Sequence, residues 1–350
     1  VRVVTSGGRA TRLSRRMLVV VAGAVAALLA LAAPAAAATS TVVISGAGQG
    51  APASGVWLSG TAIDPATGGP VQHYWTSDHL LGLCRLDSTP VVALTHCVGV
   101  PTVKNTHLTV GPGPTLATRY VYTGDIGGGG AGTPGVKRFL YDPTQDLGQG
   151  LISSVSQLLS GATCNSLPGN LPQAVAMGPD NNLYVGLRKN NGLWRITNAA
   201  GAIGTQVCTQ IGQDFKQTAG LAFDGTNLWI VDQKSIALIT DAAGACPGCG
   251  PGLVASSVQL YSGKGVSADP VNHVLYLDGV GSIDQLTGVD TIFFVTLSTY
   301  APGRPCPTGV SVNTIGLVAG TVPVVMAGED TSIGCAGLAN AGQLTRITTP

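Results

Sequence analysis

The run Gly-Leu-Ala-Phe-Asp-Gly-Thr-Asn-Leu-Trp-Ile-Val-Asp, residues 220–232, decides the fold. Two β-prone stretches, Leu221 to Phe223 and Leu228 to Val231, flank an Asp-Gly-Thr-Asn turn, the signature of two antiparallel strands. The same pattern returns along the chain. Gly265 to Asp269 with Val274 to Asp278 is a close copy, and Ala174 to Gly178 with Leu183 to Gly186 is another. Weaker copies are Gly60 to Asp64 with Trp75 to Asp78, Val110 to Pro112 with Tyr122 to Asp125, and Gly316 to Gly320 with Val324 to Gly328.

The positions that align with Asp232 are 78, 125, 187, 232, 278 and 328, at intervals of 47, 62, 45, 46 and 50 residues. A repeat of that length signals a stacked or radial architecture. Each unit adds a third apolar segment: Leu81 to Leu86, Val136 to Tyr141, Gly192 to Thr197, Ile236 to Thr240, Ile292 to Leu297 and Gln343 to Thr348. One such unit cannot cover both its faces, whereas six arranged radially bury each face against the next. The reading is an all-β, six-bladed β-propeller. Thr41 to Ser45 is expected to complete the blade that ends in Arg346, Ile347 and Thr348. A helix-period pattern outside the N-terminus occurs at Leu151 to Leu159, taken as an insertion in the long second interval.

Composition agrees. The chain has 350 residues, 45% apolar and only 10% charged, with 50 glycines, which excludes disordered, coiled-coil and collagen-like classes. Eighteen basic residues against 17 acidic ones leave a formal charge of +1, and no basic cluster lies beyond the N-terminus, so no electrostatic grip on nucleic acid is expected. That N-terminus reads as a secretory signal. Arg9, Arg12, Arg15 and Arg16 precede an apolar run from Leu18 to Ala33, then Pro34 and the small residues Ala36, Ala37 and Ala38. Cleavage after Ala38 would release a single domain, 39–350, with no membrane span, secreted or held in a periplasm. Ser14 to Val19 resembles a twin-arginine export motif without its usual Phe and Lys.

Eight cysteines suit an oxidising compartment: Cys84, Cys97, Cys164, Cys208, Cys246, Cys249, Cys306 and Cys335. Many pairings are open. The simplest joins neighbours, Cys84 with Cys97, Cys164 with Cys208, Cys246 with Cys249 and Cys306 with Cys335. Cys246-Pro247-Gly248-Cys249 has redox spacing but lies in a Gly/Pro loop, so a small structural ring is the expected reading.

The candidate site follows from register. If each first strand lines the axis, each second strand returns to one rim, and Asp78, Asp125, Asp232 and Asp278 gather there. Blade three offers Leu187 beside Arg188, and blade six Gly328 followed by Glu329 and Asp330. Converging carboxylates suit Ca²⁺, Mg²⁺ or a cationic partner. The competing reading is local: an Asp at this place bonds backbone amides and caps a turn. His73 and His79 flank Tyr74, Trp75 and Asp78 as a second candidate for metal binding or proton transfer, against an ordinary strand with polar tips. His96, His107 and His273 stand alone in the sequence and are expected to be structural. Trp75, Tyr122, Tyr184 and Trp229 share one register and are expected to pack between blades.

Gly-x-Ala-x-Asp, a turn, and a strand ending in Asp resemble the NHL-repeat and SMP-30/gluconolactonase-like group of six-bladed propellers, over nearly all of residues 39–350. The resemblance implies a fold that hosts lactonases, other hydrolases and binding scaffolds. It also implies, for the hydrolases, metal ligands that include a Glu in an early blade. The first Glu in this chain is Glu329, in the last repeat. The expectation from sequence is a secreted scaffold that binds a cation, a protein or a small molecule through its carboxylate rim. A metal-dependent lactonase or esterase and a structural envelope protein are the alternatives.

Overall fold

The computed structural model describes residues 38–45, 57–58, 73–78, 82–87, 96–98, 105–115, 118–125, 134–141, 156–157, 164, 171–188, 192–212, 215, 217–232, 235–243, 265–279, 281–289, 296–304, 307–313, 317–330 and 342–348. For the strands between 57 and 98, and for residues 41–45, 105–106, 125, 156–157, 296, 308, 313, 330 and 342–344, only the backbone is described. The signal segment, His79, Cys246, Cys249, Cys306 and Cys335 lie outside the described residues. His73, Asp78, Cys84 and Cys97 are placed by backbone alone.

Strand β1 (Thr39–Ser45) opens the described chain. The first sheet then runs β2 (Trp57–Leu58), β3 (His73–Asp78), β4 (Gly82–Asp87) and β5 (His96–Val98). The second runs β6 (Asn105–Pro112), β7 (Arg119–Asp125), β8 (Gly135–Tyr141) and β9 (Ser156–Gln157). The third is β10 (Pro172–Met177), β11 (Leu183–Leu187), β12 (Leu193–Thr197) and β13 (Val207–Gly212). The fourth has β14 (Thr218–Asp224), β15 (Asn227–Asp232) and β16 (Ser235–Ile239). The fifth is β17 (Val266–Asp269), β18 (Val274–Asp278), β19 (Ser282–Thr287) and β20 (Thr296–Pro302). The last combines β21 (Pro307–Asn313), β22 (Val324–Asp330) and β23 (Gly342–Thr348) with β1.

Each sheet is an antiparallel meander, and the first strands neighbour one another in turn: β2 with β6, β6 with β10, β10 with β14, β14 with β17, β17 with β21 and β21 with β2. This is a β-propeller with an axial channel, and Ala38–Thr349 form one compact unit. Among the described residues, five sheets have four strands and β14–β16 has three. The sequence reading gives six blades of three or four strands; the structure shows five complete four-stranded blades and, among the described residues, a three-stranded sheet β14–β16.

Closure follows the sequence reading: β1 pairs antiparallel with β23 from Thr39 opposite Thr348 to Ser45 opposite Gln343. Other boundaries differ. In the fifth sheet the third strand is Ser282–Thr287, whereas Ile292 to Leu297 had been assigned to it from its apolar run. Only Ile283, Asp284 and Leu286 of Ser282–Thr287 are buried, so a half-covered strand escapes a search for apolar runs. In the last sheet the first strand is Pro307–Asn313, and Val318 to Thr321 form a turn. Within Leu151 to Leu159, Ser156 and Gln157 pair with β8 as a strand, where a helical insertion had been read. Two hydrogen-bond partners on an edge leave too little pattern to see.

The core lies between sheets. Tyr122 packs with Val175, Leu183 and Val185 of the next sheet, Tyr184 with Leu221 and Leu228, Trp229 with Val266 and Leu275, and Tyr276 with Val310 and Val312. Tyr122, Tyr184 and Trp229 thus fill the inter-blade role that their shared register implies; Trp75 is described by backbone only.

Candidate functional site

The rim on which the second strands end is shaped by a repeated bulge. The register shifts between Pro172 and Ala174, Thr218 and Gly220, and Pro307 and Gly309, each time one step inside the start of a first strand. The amide that precedes the first strand turns toward the end of the neighbouring second strand in the fourth and fifth sheets, with and without such a shift. In the fourth sheet the Gln217 amide donates to Asp232 Oδ1 at 2.7 Å. In the fifth sheet, where no shift occurs, the Gly265 amide donates to Asp278 Oδ1 at 2.7 Å. A Cβ at Gly265 would lie 2.9 Å from Gly309 Cα, so the close approach of the next sheet requires glycine there.

These contacts place the sequence candidates one by one. Asp278 is buried and Asp232 half-buried, and each carboxylate accepts a backbone amide, the capping alternative noted above. Leu187 is buried and Arg188 is exposed at the same rim. In the last sheet Glu329, not Gly328, pairs with the start of the first strand and matches Asp232. Glu329 is wholly buried. It receives Arg304 through Nε on Oε1 at 2.5 Å and an η-nitrogen on Oε2 at 2.7 Å, with the Thr345 hydroxyl on Oε2 at 2.9 Å. Arg304 follows β20 of the preceding sheet, so the pair bolts two blades together. Asp78 and Asp125 end β3 and β7 on this rim by backbone position.

Among the described residues no three His, Cys, Asp or Glu side chains come together as a metal set. The described rim carboxylates therefore do not fit a divalent cation held by several side chains. Cys164 and Cys208 form a disulfide, as the neighbour pairing has it. Cys84 and Cys97 are register partners across β4 and β5.

At the axis, the first strands of four consecutive sheets line an open-mouthed cavity of about 170 Å³. Leu221, Phe223, Met177 and Val175 give it apolar walls; His107, Thr109 and Ser267 are its polar side chains. Among the described residues that line it, none is an Asp, Glu, Lys or Arg. His107 is buried on β6, brought to the channel by the strand that the repeat pattern placed there. Thr109 Oγ1 accepts the Met177 amide at 3.1 Å, and Ser267 Oγ accepts the Val312 amide at 3.1 Å, so hydroxyls stitch neighbouring first strands across the channel wall. Sequence reasoning passed over these groups, although Leu108-Thr109-Val110 and Val266-Ser267-Ala268 carry the hydroxyl at one repeat position.

On the opposite rim, His273 Nδ1 lies 3.0 Å from both carboxylate oxygens of the buried Asp224, another link between sheets. Burial raises the phenol of Tyr300 to about 12 and pushes those of Tyr122, Tyr184 and Tyr276 further up.

The class defined by this arrangement is a β-propeller with a lined axial cavity. Solved structures of the same fold include a PQQ-bound aldose sugar dehydrogenase from Streptomyces coelicolor, 16% identical with a TM-score of 0.56, covering 90% of this chain and 99% of that one. A gluconolactonase from Xanthomonas campestris is 12% identical with a TM-score of 0.59, covering 92% and 93%. A calcium-binding regucalcin from Agrobacterium tumefaciens is 14% identical with a TM-score of 0.56, covering 89% and 96%. No protein-family model matches the chain, and no curated protein sequence matches it.

Proposed function

We propose that the protein is an exported, six-bladed propeller that takes a small uncharged, oxygen-bearing molecule into its axial channel and opens it as a hydrolase of the lactonase or esterase type. The observation that carries this reading is the cavity, whose described lining combines apolar walls, hydroxyls and an imidazole with no Asp, Glu, Lys or Arg among the described residues. Such a lining favours a neutral molecule with acceptor oxygens and disfavours ions, which would enter it uncompensated. The neighbouring structures named gluconolactonase and aldose sugar dehydrogenase act on oxygen-rich small molecules, which agrees with that chemistry. A cavity of this volume is close to the roughly 150 Å³ that holds benzene, so a five- or six-membered lactone ring fits within it.

In the reaction, water adds to the acyl carbon, the acyl–oxygen bond breaks, and the ring oxygen leaves as an alcohol, giving a hydroxy acid. Among the described residues lining the cavity, His107 is the ionisable side chain, and it is assigned the proton transfer from water. The three-stranded sheet counts as a sixth blade, since β14 neighbours β10 and β17 as the other first strands neighbour each other. Export with loss of 1–38 is supported by the Cys164–Cys208 disulfide. The scaffold reading has less behind it, because Asp232 and Asp278 are engaged by backbone amides and Glu329 by Arg304.

Acid release from a panel of γ- and δ-lactones and short esters tests the proposal. Wild-type protein is expected to open at least one, with His107→Gln slower by about 10²–10⁴-fold. A panel left intact by wild-type protein rejects the hydrolase.

A further inference from the structure

One position of the first strand changes its chemistry from blade to blade. Thr109, Ala176, Ala222, Ser267 and Ser311 occupy it, opposite Tyr122, Tyr184, Trp229, Tyr276 and Met326 of the second strands. Where it holds a hydroxyl, that hydroxyl reaches the next sheet: Thr109 accepts the Met177 amide and Ser267 the Val312 amide. Met177 and Val312 each follow the recurrent position of their own strand by one residue. In an antiparallel ladder alternate residues turn their amides away from the partner strand, so these amides lie on the edge facing the channel.

The equivalent amides in the two intervening strands are those of Phe223 and Ala268. Before them stand Ala176 and Ala222, which have no hydroxyl. All four residues line the cavity, together with Thr109 and Ser267. A buried amide is costly without an acceptor, whereas a hydroxyl that already accepts a bond keeps its own proton to give. The wall between Thr109 and Ser267 is thus an edge of donors facing an apolar space.

We infer that the Phe223 and Ala268 amides are the recognition edge of the channel, holding the carbonyl and ring oxygens of a small lactone. The inference rests on the lactone reading proposed above and deepens it. The two alanines are what make the edge: a hydroxyl at either place would close the donor from within the protein. Amines and other cations, which bring donors to donors, are rejected by the same edge.

The test titrates ¹⁵N-labelled protein with γ-butyrolactone. The Phe223 and Ala268 amide resonances are expected to move, while those of Met177 and Val312, already bonded to hydroxyls, stay in place. Ala176→Ser and Ala222→Ser restore the hydroxyl found in the other blades. Each is expected to weaken lactone binding about tenfold while the thermal midpoint holds or rises. Unmoved Phe223 and Ala268 resonances, or serine variants that bind like wild type, overturn the inference. Binding at these amides without ring opening supports it and rejects only the hydrolase; ring opening with these amides unmoved rejects this inference and leaves the hydrolase standing.

Discussion

Replacing Asp232 and Asp278 by Asn and, separately, by Ala distinguishes a strand cap from a metal ligand. Each carboxylate Oδ1 accepts one amide at 2.7 Å, from Gln217 and from Gly265. A hydrogen bond to a charged acceptor contributes about 1.5–3 kcal/mol, and removing the acceptor from a buried donor costs toward the upper end. Asp278 is 2% exposed, so Asp278→Ala is expected to cost about 3 kcal/mol. Asp232 is half-buried, where water replaces part of the bond, and Asp232→Ala is expected to cost about 1.5 kcal/mol. Asn keeps an oxygen for the amide and loses only the charge assistance, roughly half the bond, so both Asn variants should cost about 1 kcal/mol or less. Urea unfolding at constant m reads these differences, repeated with millimolar Ca²⁺ and with a chelator. Carboxylates that serve as ligands give another pattern. The Asn variants would then equal or exceed wild type without cation, through relief of repulsion, and would lose a Ca²⁺-dependent gain in stability that wild type shows. That pattern would refute the capping account.

Cutting the Cys164–Cys208 bond by a double Ala substitution frees a loop of 44 residues and is expected to cost about 4 kcal/mol, read as a lower urea midpoint; no change would mean the unfolded chain is not constrained by it. Glu329→Gln leaves Arg304 without its charge partner between two sheets and should cost about 3–5 kcal/mol, with the double change Arg304→Met, Glu329→Leu recovering part of it in the same assay. The tyrosines set an alkaline limit. Their phenols titrate near 10 in the unfolded chain but at about 12 for Tyr300, and higher for Tyr122, Tyr184 and Tyr276, when folded. Their contribution is therefore complete below pH 10 and is lost as pH rises through the folded values, so phenolate absorbance and loss of β-sheet dichroism should appear together; phenolates forming early in an intact fold would contradict the burial. Deleting residues 39–45 removes the partner of β23 and should lower the thermal midpoint sharply, whereas deletions ending before Ala38 should not.

The repeat made the architecture readable because one turn and two alternating strands recur with the same residues at the same places. Gly220 to Asp232 and Gly265 to Asp278 gave strand pairs whose register the structure reproduces. Closure of the ring was legible too, since a lone β-prone segment at 41–45 needed a partner. What failed were segments whose pairing comes from neighbours rather than from their own pattern: Ser156–Gln157, Ser282–Thr287 and Pro307–Asn313. Asp232 and Asp278 end their second strands as the repeat register implies, but whether such a carboxylate faces a cation or a main-chain amide depends on the residue that precedes the paired first strand, Gln217 or Gly265. The channel groups were hidden for a different reason. A serine among valines reads as a minor variation until the axis is formed and Thr109, Ser267 and the two alanines fall on a common circle.

The pairing of β1 with β23 joins positions about 300 residues apart. A nascent polypeptide therefore cannot latch until residues 342–348 leave the ribosome, and every earlier length is an open arc with a naked edge at each end. Loss of residues 342–348 would be felt at 39–45, and a bulky insertion beside either strand would crowd the other.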